Sequence, residues 1–515
     1  MRSPRFFIIS LLVLSMGVSL VFSSTKRQAV KVKSTEDYWS EAGLGPAALK
    51  DLLENSTCAS SEKYFMACAN ALLVVANRFN MTLTTQGQLM PVDANVSADM
   101  SSEKKQLEIW KDLFNNQNAF ATKLSFIKLW DQLQKKFISE KQEAMMVGLG
   151  LNGFISVFRD PHTYLMPVAM FQEVVAKADN LTTSLGLTLG RANGQYVVRK
   201  VMDGSAAKKS GVEKGDVLVE MDGQPVRGLL QARISELMKG DVGTSTTVVV
   251  LRNGERKKFQ MVRTEITVAT VSTRVIEGIK PIAVVGINKF AKGACEKTKE
   301  AIALAKKAKV RGMLLDLRDN PGGQMEEAAC ITSLFVGGTK KIFELRYLDP
   351  TRKTEDYYGG EDKIFDEPVA VLINAGSASA AEIVAGALRD LNRAALVGER
   401  TFGKGSFQEG EYWTQNKKIA LFETKGFYYL PSGRSPQMSG LEPDVAVNFD
   451  NISVAREEDQ FMNPLHAPER QVKALKAIVS TKNCLDGEEG SANDDVQIKK
   501  AQQVLFCSKT VAKVN

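Results

Sequence analysis

The sequence GSASAAEIV at Gly376–Val384 joins a predicted buried strand, Val369–Ile373, to a predicted amphipathic helix, Ala380–Leu391. Ser379 is followed three residues later by Glu382, a spacing typical of a capping box at a helix start. In isolation this pattern predicts only an N-cap. A helix start also presents unpaired N–H groups and a positive dipole end, which can stabilise an oxyanion.

A serine in such a place needs a base, and Lys404 is the candidate. It lies between Gly403 and Gly405, where the backbone can approach other groups closely. If the chain then runs extended, Lys404 and Gln408 lie on one face of the strand. A free lysine has a pKa of about 10.4, and burial lowers it by several units, so a buried Lys404 becomes a usable base. Considered alone, Lys404 also fits an ordinary solvated lysine.

Strands and helices alternate around this stretch. The pattern predicts strands at Ile282–Ile287, Gly312–Leu317, Val369–Ile373 and Ala395–Val397, with helices over Cys295–Ala308, after Gly322-Gly323 and over Ala380–Leu391. Such alternation indicates an α/β core with crossover connections.

The residues before this core have a β-rich pattern, with a helix predicted over Leu229–Met238. The run Ser184-Leu185-Gly186-Leu187 has the form of the carboxylate-binding loop of a PDZ domain. The later runs resemble the rest of that family in order: Gly204–Ala207, Ser210–Val212, Gly215–Leu218 and Asp222-Gly223. In such a loop the backbone N–H groups converge on a peptide's terminal carboxylate, and the next strand pairs with the peptide. An isolated SLGL would fit any strand start.

A longer set of motifs resembles the carboxyl-terminal processing (tail-specific) serine proteases over about residues 150–447. The motifs are Asp160–Thr163 (DPHT), Asp316–Gly323 (DLRDNPGG), Gly376–Glu382, Val397–Glu399, Thr401–Gly405, Tyr429–Ser435 (YLPSGRS) and Gly440–Val445 (GLEPDV). One departure is Ala381, where the family often has a third serine.

The resemblance implies roles for individual residues. Ser379 is the implied nucleophile, Lys404 the general base and Gln408 the residue that orients the amine. The implied backbone oxyanion donors and a supporting carboxylate near the site are Ala380, Gly322 or Gly323, and Asp390. The implied peptide-binding residues are Ser184, Leu185, Gly186 and Leu187. No metal or cofactor is implied.

The implied fold is an α/β protease core of the crotonase/ClpP-like type with mixed βα repeats and an inserted β-rich PDZ domain. The expected parts are a signal peptide or anchor at 1–24, a helical N-terminal region at 30–165, the PDZ domain at 170–265, the protease core at 270–448 and a helical C-terminal region at 450–515. A PDZ domain that closes the active site is a hypothesis from the same resemblance.

The N-terminus predicts export. Arg2 and Arg5 precede an apolar stretch that ends near Phe22, as in a secretory signal or an uncleaved inner-membrane anchor. We therefore expect a periplasmic location, with membrane association left open. Export permits disulfides: Cys58 with Cys68 and Cys484 with Cys507 are candidate pairs, whereas Cys295 and Cys330 are expected to be buried free thiols.

Composition excludes several functions. A net charge of +8 over 515 residues, without a basic run, gives no nucleic-acid footprint. The two histidines, His162 and His466, stand apart in the sequence, which argues against a histidine-rich metal site. The expected partners are proteins or peptides with free C-terminal tails, and a homo-oligomer or an adaptor protein is left open.

Two rival interpretations remain. One is a PDZ peptide-binding scaffold that has kept the fold and lost activity. The other is an α/β hydrolase with a Ser–His–Asp triad, in which His162 or His466 is the base.

Overall fold

The computed structural model describes residues 33–84, 87–91, 103–116, 124–160, 162–176, 180–202, 204–227, 229, 231–240, 242–447, 456–460, 464–473 and 496–507. The predicted signal peptide or anchor and Cys484, the predicted partner of Cys507, lie outside the described residues.

The N-terminal region is mainly helical. Its elements are α1 (Thr35–Ala42), α2 (Ala47–Lys50), α3 (Asn55–Cys58), α4 (Glu62–Arg78), β1 (Met81–Leu83), β2 (Leu89–Pro91), α5 (Glu103–Asn116), α6 (Phe126–Gln134) and α7 (Glu140–Phe158). Buried aromatic residues such as Phe65, Trp110 and Trp130 fill its core. The predicted disulfide between Cys58 and Cys68 is present and joins α3 to α4.

After β3 (Tyr164–Pro167) and α8 (Val168–Ala176), the chain enters the PDZ-like domain. Its elements are β4 (Asn180–Ser184), β5 (Leu187–Ala192), β6 (Gln195–Val201), α9 (Ala206–Ser210), β7 (Val217–Met221), β8 (Gln224–Pro225), α10 (Gln231–Met238), β9 (Ser245–Arg252), β10 (Glu255–Val262) and β11 (Thr264–Val268). The main sheet has the order β10-β9-β7-β6-β5, so β5 is an edge strand. β4 and β11 pair antiparallel and bring the entry and exit of the domain together.

The α/β core follows. Its elements are β12 (Val271–Ile276), β13 (Ile282–Ile287), α11 (Ala294–Lys307), β14 (Met313–Asp316), α12 (Met325–Val336), β15 (Lys341–Tyr347), β16 (Glu355–Tyr358), β17 (Val369–Ile373), α13 (Ala380–Asp390), β18 (Ala394–Gly398), β19 (Ser406–Tyr412), β20 (Ile419–Tyr429) and β21 (Val445–Ala446). The central sheet has the order β12-β13-β14-β17-β18-β21 and is parallel except for β12 against β13. β17 is buried along its whole length, as in a sheet that is covered on both faces.

A second sheet has the order β16-β15-β20-β19, and β3 also pairs with β20. Since β3 precedes the PDZ-like domain in the chain, that domain is inserted into the fold of the core. The sequence pattern predicted four strands of the central sheet, β13, β14, β17 and β18, but not β12 or β21 and not the pairings of this second sheet.

The C-terminal elements are α14 (Glu457–Gln460) and α15 (Val496–Cys507). α15 packs on the central sheet through Ile498, Ala501, Val504 and Leu505. The expectation of a helical C-terminal region is wrong for residues 464–473, which form no helix. Pro464 and Pro468 account for this, because proline interrupts a helix.

The expectation of free thiols at Cys295 and Cys330 is also wrong. The two residues form a disulfide, because α11 and α12 lie side by side and place the two Cα atoms 6.0 Å apart. Their sequence separation of 35 gave no signal of this proximity. Within the described part of the chain, no helix is both long enough and apolar enough to span a membrane.

Candidate active site

The turn between β17 and α13 presents Ser379. Its φ of 55° and ψ of −117° lie in a region that residues with a side chain seldom adopt, and such strain is typical of functional sites. Ser377 is fully buried, donates to the carbonyl of Leu317 at 2.8 Å and accepts the N–H of Asn374 at 3.0 Å. Ser377 therefore has a structural use, whereas Ser379 is partly exposed at the start of a helix.

The carboxylate of Glu382 connects the two predicted catalytic segments. It accepts the N–H groups of Ser379, Gly403 and Lys404, each at 2.9 Å, and the hydroxyl of Thr401 at 2.5 Å. Glu382 is fully buried, and burial raises its pKa to about 7 against the opposing effect of these hydrogen bonds. The sequence indicated Glu382 only as a capping residue.

Tyr428 makes a second connection between the same segments. Its hydroxyl lies 3.2 Å from the carbonyl of Ser379 and 2.9 Å from that of Lys404, within donating distance of both. Burial raises the pKa of Tyr428 well above its ordinary value, so the hydroxyl stays protonated. The YLPSGRS motif begins one residue later, and the sequence gave no separate signal for Tyr428.

Lys404 lies in a desolvated position beside Gln408. Its Nζ donates to Gln408 Oε1 at 3.0 Å, which brings the two side chains into contact, although Lys404 precedes β19 and the strand has a bulge between Phe407 and Gln408. Burial lowers the pKa of Lys404, while the carboxylates of Glu457, Asp160 and Glu382 oppose that effect. Among the described residues, no hydrogen bond joins Lys404 Nζ to Ser379 Oγ.

A chain of hydrogen bonds fixes the amide of Gln408. Gln408 Nε2 donates to Thr424 Oγ1 at 3.2 Å, and the Thr424 hydroxyl donates to Asp160 Oδ1 at 2.6 Å. The amide oxygen is therefore turned toward Lys404. Asp160 belongs to the DPHT motif. Its contact with Thr424 could not be predicted, because the two residues are far apart in the sequence.

Of the predicted oxyanion donors, Gly322 and Ala380 lie next to Ser379, whereas Gly323 packs against Phe290. A Cβ atom on Gly322 would lie 2.8 Å from Ser379 Cβ and 3.0 Å from the nitrogen of Ala380, so only glycine fits there. The N–H of Gly322 donates to Asn320 Oδ1 at 2.8 Å. Across the described residues, the N–H groups of Gly323 and Ala380 have no hydrogen-bond partner and remain available.

Asp390 lies at the other end of α13. A helix rises by about 1.5 Å per residue, so this end is roughly 16 Å from Ser379. Asp390 Oδ2 accepts the N–H of Ser432 at 2.9 Å and anchors that loop. The expectation of a carboxylate near the site is therefore not met by Asp390.

The predicted peptide-binding loop begins the edge strand β5. Leu185 is fully buried and Leu187 largely so, while Gly186 has a φ of 80° and donates its N–H to Ser184 Oγ at 3.1 Å. Of the described strands, only β6 pairs with β5, which leaves one edge of β5 open for an added peptide strand.

His162 and His466 differ in environment. His162 Nε2 lies 2.8 Å from a carboxylate oxygen of the buried Glu457, whereas His466 is exposed. Glu457 was not indicated by any sequence motif.

Two family models match the chain. Residues 281–447 match peptidase family S41, and residues 183–262 match the PDZ domain. The first range contains Ser379, Lys404 and Gln408. By this match residues 281–447 are similar to the peptidase domains of family S41, and they are called the S41 domain below. The resemblance to carboxyl-terminal processing proteases is confirmed at this level, as is the combination of an α/β core with an inserted PDZ domain.

Proteins similar to this chain are described as serine proteases. A "Probable CtpA-like serine protease" of Staphylococcus haemolyticus is 26% identical over 325 residues, which cover 62% of this chain and 64% of that protein. A protein of the same description from Staphylococcus aureus strain N315 is 25% identical over 377 residues, covering 72% and 75%.

Solved structures give a weaker likeness. The photosystem II D1 C-terminal processing protease has a TM-score of 0.46 at 25% identity, with 65% of this chain and 88% of that chain covered. Mature CPAF has a TM-score of 0.40 at 14% identity, with 75% and 94% covered.

Proposed function

We propose that this chain is an exported serine endopeptidase that selects proteins by their C-terminal tails and cleaves them with Ser379 and Lys404. The observation that carries the proposal is the Glu382 carboxylate, which binds the backbone N–H groups of both Ser379 and Lys404 at 2.9 Å. The contact joins the backbone of a strained serine at a helix start to the backbone of a half-buried lysine, whose pKa is lowered because its amine is desolvated, and this supports the proposal.

The chemistry follows from these positions. Neutral Lys404 removes the proton of Ser379 Oγ as that oxygen attacks the scissile carbonyl, and an acyl-enzyme forms as the amine leaves with a proton from Lys404. Lys404 then activates water for deacylation. In the described conformation its amine is held by Gln408, so we expect a rotation of the lysine side chain toward Ser379 when substrate binds.

The developing oxyanion needs two N–H donors. We propose Ala380 and Gly323, because the N–H of Gly322 is already bound by Asn320. The helix dipole of α13 adds to this stabilisation. Gly322 then serves mainly to let the loop approach Ser379 closely.

Tail recognition is assigned to the PDZ domain. The loop Ser184–Leu187 would receive the terminal carboxylate, and the open edge of β5 would pair with the preceding residues of the tail. The proposed substrates are therefore proteins with accessible, mainly apolar C-termini.

Export to the periplasm is proposed from the signal-like or anchor-like N-terminus. The disulfides Cys58–Cys68 and Cys295–Cys330 support it, because disulfides persist in oxidising compartments.

One comparison tests the function. The full chain and its Ser379→Ala variant are incubated with an unfolded protein that ends in an apolar tail, and tail binding is measured in parallel. We expect hydrolysis to disappear in the variant while tail binding persists. Equal hydrolysis by both chains would contradict the assignment, and tail binding without hydrolysis by either chain would establish the scaffold interpretation.

A further inference from the structure

The segment after the S41 domain lies against the candidate active site. Its described parts are residues 456–460 and 464–473, and contacts along their length anchor them. Glu457 donates its N–H to the carbonyl of Phe402 at 3.3 Å, and the carbonyl of Pro468 accepts the Tyr429 hydroxyl at 3.2 Å. Arg470 forms an ion pair with Glu344 at 2.5 Å. These hydrogen bonds and this ion pair fix the position of the segment on the surface of the S41 domain.

Glu457 connects this segment to the loop that carries Lys404. Its side chain is fully buried. The carboxylate lies 2.8 Å from His162 Nε2 and accepts Gln437 Nε2 at 3.3 Å. Gln437 Oε1 in turn accepts the N–H of Gly405 at 2.8 Å. Glu457 thus contacts the Lys404 loop on one side through Phe402 and on the other through Gln437.

Its charge also acts on the Lys404 amine. The charges of three carboxylates on three elements act on that amine: Glu382 on α13, Asp160 after α7 and Glu457 on α14. All three favour the ammonium form, and the effect of Glu457 is the largest of them. Glu382 and Asp160 also bind donors elsewhere in the site. Besides Lys404, the titratable groups on which Glu457 acts are His162, which its carboxylate contacts, and Tyr428.

We infer that Glu457, supplied by the segment that follows the S41 domain, is a positioning residue that holds the Lys404 loop and keeps a negative charge beside the Lys404 amine. This inference rests on the proposed function of Lys404 as a base. It means that residues outside the matched domain complete the site.

Three variants separate charge from packing. Glu457→Gln removes the charge at nearly constant shape, Glu457→Asp keeps the charge but shortens the side chain, and Glu458→Gln is the control at the neighbouring, more exposed carboxylate. The measurement is the pH profile of kcat/KM for a tailed substrate.

We expect the ascending limb of the profile to move to lower pH by about one unit in Glu457→Gln, because loss of a nearby negative charge lowers a lysine pKa. In Glu457→Asp the ascending limb should stay at its wild-type pH while kcat is reduced. In Glu458→Gln both the pH of the limb and kcat should equal the wild-type values. A limb that is unchanged in Glu457→Gln would overturn the inference.

A second measurement does not require hydrolysis. In the Ser379→Ala background, the pH dependence of Lys404 modification by 1-fluoro-2,4-dinitrobenzene is followed by peptide mass spectrometry, since only the neutral amine reacts. The half-maximal pH should be about one unit lower with Glu457→Gln than without it, and coincident curves would overturn the inference. A wild-type chain that cleaves nothing would contradict the proposed function alone, because this titration would still report on Glu457.

Discussion

Arg199 on the PDZ strand β6 forms an ion pair with Asp319 of the S41 domain, with 3.2 Å between Nη1 and Oδ1. Arg199 is only 7% exposed, so the pair is largely shielded from water. Asp319 has a φ of 59° and is held by Asn374, and the next residue, Asn320, binds the N–H of Gly322. The PDZ domain therefore contacts the loop that carries the proposed oxyanion donor.

This contact predicts that Arg199→Ala lowers kcat for a tailed substrate by about tenfold with little change in KM. Removing one partner of a buried ion pair leaves the other charge uncompensated and the loop less well fixed. Asp319→Asn should give a similar loss, and the double variant should lose no more than either single one. Additive losses in a double-mutant cycle would show that the pair does not couple the two domains.

The raised pKa of Glu382 should make the free energy of unfolding depend on pH. Its pKa is about 7 in the folded chain against an ordinary 4.5, so the folded state binds more protons between these values. The resulting stabilisation is complete below about pH 4.5 and is lost as the pH rises through about 7, with a total of roughly 3 kcal/mol.

Glu382→Gln should remove this part of the pH dependence. The free energy of unfolding of the S41 domain, compared at pH 5 and pH 8, should fall less in Glu382→Gln than in the wild type. Glu442→Gln is the control, because that carboxyl is mostly exposed. Equal falls in the wild type and Glu382→Gln would show that the carboxyl does not titrate in this range.

The disulfide Cys295–Cys330 should stabilise the S41 domain by about 3 to 4 kcal/mol, because it closes a long loop in the unfolded chain. We expect a serine replacement of both cysteines to lower the free energy of unfolding by this amount. Cys58–Cys68, with a separation of only 10 residues, should contribute less, and to the N-terminal region only. Dithiothreitol should reproduce both effects in the wild type, and no change on reduction would contradict the prediction.

His162→Gln tests the rival triad. If Lys404 is the base, the variant should keep at least about a tenth of the wild-type kcat/KM, because glutamine retains a donor toward Glu457. If His162 were the base, the loss should reach at least about a thousandfold. His466→Gln, at an exposed position, is the matched control.

Local spacing predicted two contacts of the candidate site. Ser379 and Glu382 lie within one helical turn, and Lys404 and Gln408 are four residues apart, and both pairs are in contact in the structure. The buried strand β17 and the helix α13 were predicted because their apolar periodicity is strong.

Contacts between distant segments could not be predicted in this way. Tyr428 and Glu457 reach the site from other elements, and no local pattern marks a residue for a contact that tertiary packing creates. The same reason explains the missed disulfide between α11 and α12. Asp390 was placed near the site by family resemblance, but the length of α13 separates it from Ser379.

The most direct test of the central claim is the rate at which a peptidyl phosphonate modifies the chain, measured in the wild type and in Lys404→Met with the adduct located by mass spectrometry. Methionine fills a similar apolar volume, and loss of the desolvated amine should leave the folded state at least as stable. We predict an adduct on Ser379 whose rate of formation rises with pH in the wild type and falls by about 100-fold or more in Lys404→Met. An adduct on another residue, or equal rates in the two chains, would contradict the account.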